Sequence, residues 1–458
     1  MIIITSFYTA HSQTRLPSFF SDNMILQQKD SVTIWGTDAA NTTITVSGSW
    51  GASASTIANA QGQWKLKLLT VQAGGPHTLN IKGSTELVFH HVLLGEVWFC
   101  SGQSNMEMPM KGFAGQPIIG SNEAILQSRN DQIRFFHTPK VPSISPVTDV
   151  KSTWKKAEPA NTSEFSASAY FFAKKMHTVL GVPIGIIQSA WGASTIESWM
   201  DRTSLSTFPH AIIPDTLPKN TPNKEPTIMF NSMLHPYIGY TIKGVLWYQG
   251  EANRENAHQY QALFSSMIQS WRMHWKQGNF PFYFVQIAPF EMGKANAALL
   301  REAQLKTMQS VSNTGMVVTM DIGDRTVIHP SQKEQVGDRL AYWALAKTYQ
   351  IKGVAFAGPI VKTAVQNKEG RMVLTFENCP NGLTSFNKPL TQFEIAGEDS
   401  VFHPATAMIN KDNPKLVIVW SEQVKIPKSV RYGFKSWTDA SLFNTEGIPA
   451  SSFRTDDW

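Results

Sequence analysis

From about Leu16 to Leu94, apolar and polar residues alternate over short stretches: Ser31 to Trp35, Thr42 to Ser47, Gln63 to Leu68, His77 to Lys82 and Glu86 to Val92. Turn residues, Asn59-Ala-Gln-Gly62 and Gly74-Gly75-Pro76, separate them. A period of two broken in this way predicts a small antiparallel β domain. After Gly95 the texture changes. Apolar runs read as strands at Val97 to Cys100, Val182 to Gln188, Ile242 to Trp247, Phe282 to Ile287 and Met316 to Met320. Between them, helical patterns cover Ser166 to Leu180, Ala257 to Trp275, Ala297 to Val311 and Gln332 to Tyr349. Apolar strands separated by helices predict a parallel sheet covered on both faces. Past Gly353 the alternating texture returns at Ile360 to Val365, Met372 to Phe376, Phe393 to Ile395 and Lys415 to Val419. The chain thus divides into residues 14–94 (β), 95–352 (α/β) and 353–458 (β-rich), with no internal repeat.

A length of 458 residues with 42% hydrophobic and 16% charged content suits a folded protein of two or three domains. The net charge of +6 is spread along the chain without a basic run, which gives no reason to expect nucleic acid. Fourteen tryptophans serve a β-rich core first and sugar stacking second. Cys100 and Cys379 are too few and too distant for a zinc site or a disulfide scaffold, though they can pair. The stretch Met1 to Ser18 resembles the end of an export signal whose basic beginning is missing, and so points to a secreted or periplasmic protein. Nowhere else does an uncharged apolar run approach the length that spans a membrane.

Candidate chemistry collects just beyond strand ends, where loops of an open α/β sheet share one crevice. Cys100-Ser-Gly-Gln-Ser104-Asn-Met106 follows the first central strand. In isolation such a serine is more often a helix cap. Other strand ends change the balance. They run into Ser189-Ala-Trp191-Gly192-Ala193-Ser194, into Gln249-Gly250-Glu251-Ala252-Asn253, and into Asp321-Ile-Gly-Asp324 followed by His329-Pro330. A serine needs a neutral imidazole to take its proton, commonly one oriented by a carboxylate, and the oxyanion needs preset donors. Ser104 is the candidate nucleophile and His329 the base. Backbone N–H groups at Ser104 and the Gly192 turn, with the Gln249 amide, are candidate oxyanion donors. No phosphate-cradling glycine loop or metal-ligand spacing is present, so no cofactor or metal is expected.

These blocks together resemble the SGNH-hydrolase superfamily and, within it, the sialate O-acetylesterases of bacteria and animals. The likeness spans nearly the whole chain. Besides the blocks above, it rests on Glu197-Ser-Trp199, Leu300-Arg-Glu-Ala-Gln304, Lys333, Gly337-Asp-Arg-Leu340, Val430-Arg-Tyr-Gly-Phe434 and Phe443-Asn-Thr-Glu-Gly-Ile-Pro449. The resemblance implies a three-layer α/β/α catalytic domain with N- and C-terminal β-rich accessory regions, cleaving acetyl esters of sugars through an acetyl-serine intermediate. Ser104, His329 and Gly192 match the nucleophile, histidine and oxyanion-glycine blocks. Three departures leave choices open. Trp191-Gly192-Ala193-Ser194 stands where Trp-Gly-Gly-Thr is common, so the donor is Gly192 or Ala193. Gln249, with Asn253 as fallback, stands nearest the usual oxyanion asparagine. Thr326 occupies the place of the usual acid three residues before the histidine. Asp324 is the favoured third member, with Asp321, Glu251 and a two-residue dyad as alternatives. The substrate is an acetylated carbohydrate, either a sialate or a plant polysaccharide such as xylan or xyloglucan. A catalytically silent carbohydrate-binding protein is the rival from outside the enzymes.

Overall fold

The apolar runs beyond Gly95 assemble as one sheet in the computed structural model, which describes residues 13–291 and 293–458. Most of the suspected export segment lies outside the described residues. The central strands are β1 (Glu86–Gly102), β2 (Asn130–His137), β3 (Trp154–Ala157), β4 (Ile184–Ala190), β5 (Gly244–Tyr248), β6 (Phe282–Val285) and β7 (Thr314–Val317). They lie in the order β7-β6-β5-β1-β4-β2-β3. All neighbours are parallel except β2 and β3 at the edge.

Every residue of β4 and β5 is buried, as a sheet with two covered faces requires. Alternate residues serve opposite cores. Val97, Phe99, Val245 and Trp247 pack with helices α2 (Ala257–Trp275) and α3 (Ala297–Ser310). Trp98, Cys100, Leu246 and Tyr248 pack with α1 (Ala167–Leu180) and α4 (Lys333–Trp343). This is the three-layer α/β/α architecture of an SGNH hydrolase. Trp98, Trp199, Trp247 and Trp271 are among its largest fully buried side chains, so tryptophan here serves the core. A Cβ on Gly337 in α4 would lie 2.6 Å from Phe171 Cβ and Phe172 N in α1, so only glycine permits this helix crossing. Cys100 and Cys379 are both buried free thiols.

Both β-rich regions are tied firmly to this centre. Strand Gly74–Lys82 pairs antiparallel with the first half of β1, and Ile25–Gln27 pairs parallel with Leu93–Gly95. The division expected near residue 94 therefore falls inside a continuous strand. In the C-terminal region, strands Ile360–Gln366, Met372–Glu377, Leu416–Trp420 and Thr406–Ile409 form an antiparallel sheet. Fully buried Arg301 of α3 holds this region, donating to Lys435 O, Gly433 O and Ser452 Oγ. Among the described residues, no helix is long and apolar enough to cross a membrane.

Candidate active site

Gly102, the last residue of β1, has φ of 139°, and a Cβ there would sit 2.1 Å from Tyr248 O. The missing side chain lets β1 turn tightly against β5, and Ser104 emerges at the start of the single helical turn Ser104–Glu107. Ser104 Oγ lies 2.7 Å from His329 Nε2. The two residues come from segments 225 positions apart, yet they meet at hydrogen-bond distance. Burial, reinforced by the Lys333 ammonium, pushes the His329 imidazole down to about 4, so the ring is a neutral proton acceptor across the neutral range.

The other ring nitrogen corrects the sequence reading. His329 Nδ1 is 2.5 Å from Gln116 Oε1, not from a carboxylate. Asp324 folds onto its own backbone instead. Its Oδ1 accepts from Thr326 N (2.8 Å), Thr326 Oγ1 (3.0 Å) and Val327 N (3.0 Å), which hold its carboxyl below the usual range. Asp321 forms a two-pronged pair with Arg339, at 2.8 and 2.6 Å.

Further expectations shift at the oxyanion side. Gly192 N–H donates to Glu107 Oε2 at 2.5 Å, and Glu107 also pairs with Lys140. Ala193, left-handed at φ 59°, lines the Ser104 cavity, and its N–H and that of Ser104 bond to no acceptor among the described residues. The Gln249 amide is spent on structure. Its Nε2 donates to Ser194 O (3.0 Å) and Asn253 Oδ1 (2.7 Å), while its Oε1 accepts from Tyr260 O–H (2.8 Å). Asn253 is likewise bonded inward, to Ile196 N and Glu197 Oε2. Neither Gln249 nor Asn253 lines the nucleophile cavity.

Behind Ser104 sits a buried network that the sequence reading missed. Lys333 Nζ donates to Asn105 Oδ1 (2.5 Å), and Asn105 Nδ2 donates to Glu251 Oε1 (2.6 Å) and Ile328 O (3.1 Å). One amide thus joins the nucleophile turn, the β5 loop and the residue preceding His329. Burial lowers Lys333 to about 7, against the opposing pull of Glu251, and raises the Glu251 carboxyl. The cavity over Ser104 and His329 holds about 530 Å³ and is also lined by Glu251 and Arg254. Glu251 Oε2 and Arg254 Nε are buried behind its wall without a hydrogen-bond partner. Asn105 and Lys333 were visible in the motifs, but nothing in sequence separated their roles. Gln116 had no signal at all.

Fold and site define a serine carboxylester hydrolase of the SGNH type. The family model described as carbohydrate esterase, sialic acid-specific acetylesterase, matches residues 94–346. A carbohydrate acetylesterase from Xanthomonas citri superposes with a TM-score of 0.89 at 38% identity, covering 97% of this chain and 100% of its own. The sialate O-acetylesterase of Mus musculus is 28% identical over 419 residues, 76% of each chain. That of Homo sapiens is 29% identical over 408 residues, 79% of this chain and 76% of its own. The chain belongs to this family of carbohydrate esterases.

Proposed function

We propose that the enzyme releases acetate from O-acetylated sugars through an acetyl-Ser104 intermediate. His329 Nε2 takes the Ser104 proton as Oγ adds to the acetyl carbonyl, then returns it to the departing sugar oxygen. Water repeats the sequence to free acetate. The N–H groups of Ser104 and Ala193 receive the oxyanion, Ala193 replacing Gly192 because Glu107 already occupies the latter. Gln116 accepts from Nδ1–H and so fixes the tautomer that leaves Nε2 able to accept.

The 2.7 Å Ser104–His329 contact carries this reading. The names of the relatives support acetylated carbohydrate as the substrate class, either a sialate or an acetylated plant polysaccharide. The character of Met1 to Ser18 supports export to the periplasm or medium. The test is acetate release from O-acetylated sialic acid and from acetylated xylan and xyloglucan, with Ser104→Ala as control. Ser104→Ala should lose several orders of magnitude in kcat while staying folded; activity within about tenfold of wild type rejects the nucleophile.

A further inference from the structure

From two motif blocks singled out in the sequence, Glu197, Gln249 and Asn253 turn their polar side chains away from Ser104. They build something else. A second cavity of about 400 Å³ adjoins the nucleophile cavity, and Lys224 and Ala252 line both. Its floor is preset by a buried chain of amides. Asn253 accepts from Gln249 Nε2 (2.7 Å) and Ile196 N (2.9 Å), and its own Nδ2 donates to Glu197 Oε2 (2.9 Å). Glu197 Oε1 keeps no hydrogen bond among the described residues, so one lone carboxylate oxygen is left on the cavity wall. Gln259 and Asn256 line the cavity beside it, and half-buried Phe208 supplies a ring. A fixed carboxylate oxygen, neutral amides and an aromatic face are the groups that take a sugar's hydroxyls and its apolar C–H face. The cavity is also of a size that holds a small ligand.

We propose that this chamber is a second saccharide subsite, which holds the sugar residue next to the acetylated one. The preferred substrate is then an acetylated oligosaccharide or polysaccharide rather than a lone sugar. This rests on the acetylesterase reading and adds the length of chain the enzyme engages. No part of it takes part in bond making: acetyl transfer stays with Ser104 and His329, and the subsite contributes binding of the departing glycan.

The experiment compares kcat/KM on 4-nitrophenyl acetate, on O-acetylated methyl xyloside against O-acetylated xylotetraose, and on O-acetylated sialic acid against O-acetylated sialyllactose. In at least one pair the longer member should be preferred by about tenfold or more, equivalent to about 1.4 kcal/mol. Gln259→Ala and Phe208→Ala, tested separately, should each lower that preference about fivefold, read as the ratio of longer to shorter substrate. Equal kcat/KM within each pair, no cleavage of any sugar ester, or a ratio untouched in both folded variants overturns the subsite. Failure to hydrolyse 4-nitrophenyl acetate would instead overturn the esterase reading beneath it.

Discussion

Replacing Lys333 by Met should move the acid limb of kcat/KM toward higher pH. In the native protein the His329 imidazole is lowered from its ordinary value to about 4. Burial is the larger cause and the Lys333 ammonium the smaller, so the charge accounts for less than half of that lowering. Lys333 itself titrates near 7, and it is therefore positive throughout the range where His329 takes up its proton. Removing that charge makes the imidazolium easier to form. The limb should rise by up to about one unit, from about pH 4 toward about pH 5, because activity requires the unprotonated ring. Lys333→Arg retains the charge and should leave the limb in place. The assay is 4-nitrophenyl acetate hydrolysis from about pH 3.5 to 8 at constant ionic strength. The Met variant also strips a donor from buried Asn105, so a lower Tm is expected and the profile is read well below it. A folded Met variant whose limb stays within about 0.2 unit of the native value refutes the electrostatic coupling of Lys333 to His329.

Gln116→Glu places a carboxylate at Nδ1, which favours the imidazolium; its acid limb should rise by roughly one to three units, and an unmoved limb in the pH profile rejects the contact. Asp324→Asn should keep kcat within about tenfold, since its carboxylate serves the backbone of its own loop; a loss near 10⁴ in steady-state kinetics would restore it as the triad acid. Gly102→Ala should cost at least about 2 kcal/mol in denaturant unfolding, from the strained φ and the clash with Tyr248 O, and stability equal to wild type contradicts the close approach.

Strand ends converge in an α/β sheet whatever the details of the loops, which is why Ser104 and His329, paired as candidates from sequence, lie 2.7 Å apart. Helix α2 over Ala257–Trp275 is legible because the apolar stripe is long and uninterrupted. Strand β2 was missed for a physical reason. Arg134 breaks its apolar run, yet it is buried, with its guanidinium spent on Asn23 O and His91 O. The helix expected to reach Tyr349 changes form at Ala344–Thr348, where the winding loosens, so α4 ends at Trp343. Asp324 is near His329 along the chain, but a short-range turn holds its carboxylate on Thr326 instead, a competition that spacing alone does not reveal. Gln116 lies on an irregular loop after the nucleophile, and a neutral amide there carries none of the charge by which an orienting residue is usually noticed.

Strand β1 has one further consequence. Its 17 residues bend at His91, left-handed at φ 56°, with the early half laced to the N-terminal β region and the last residue standing two places before Ser104. The N-terminal region and the turn bearing Ser104 thus share one strand. A chain cut at residue 94 falls inside that strand, so a change in the distant sheet is passed along one element to the position of Ser104.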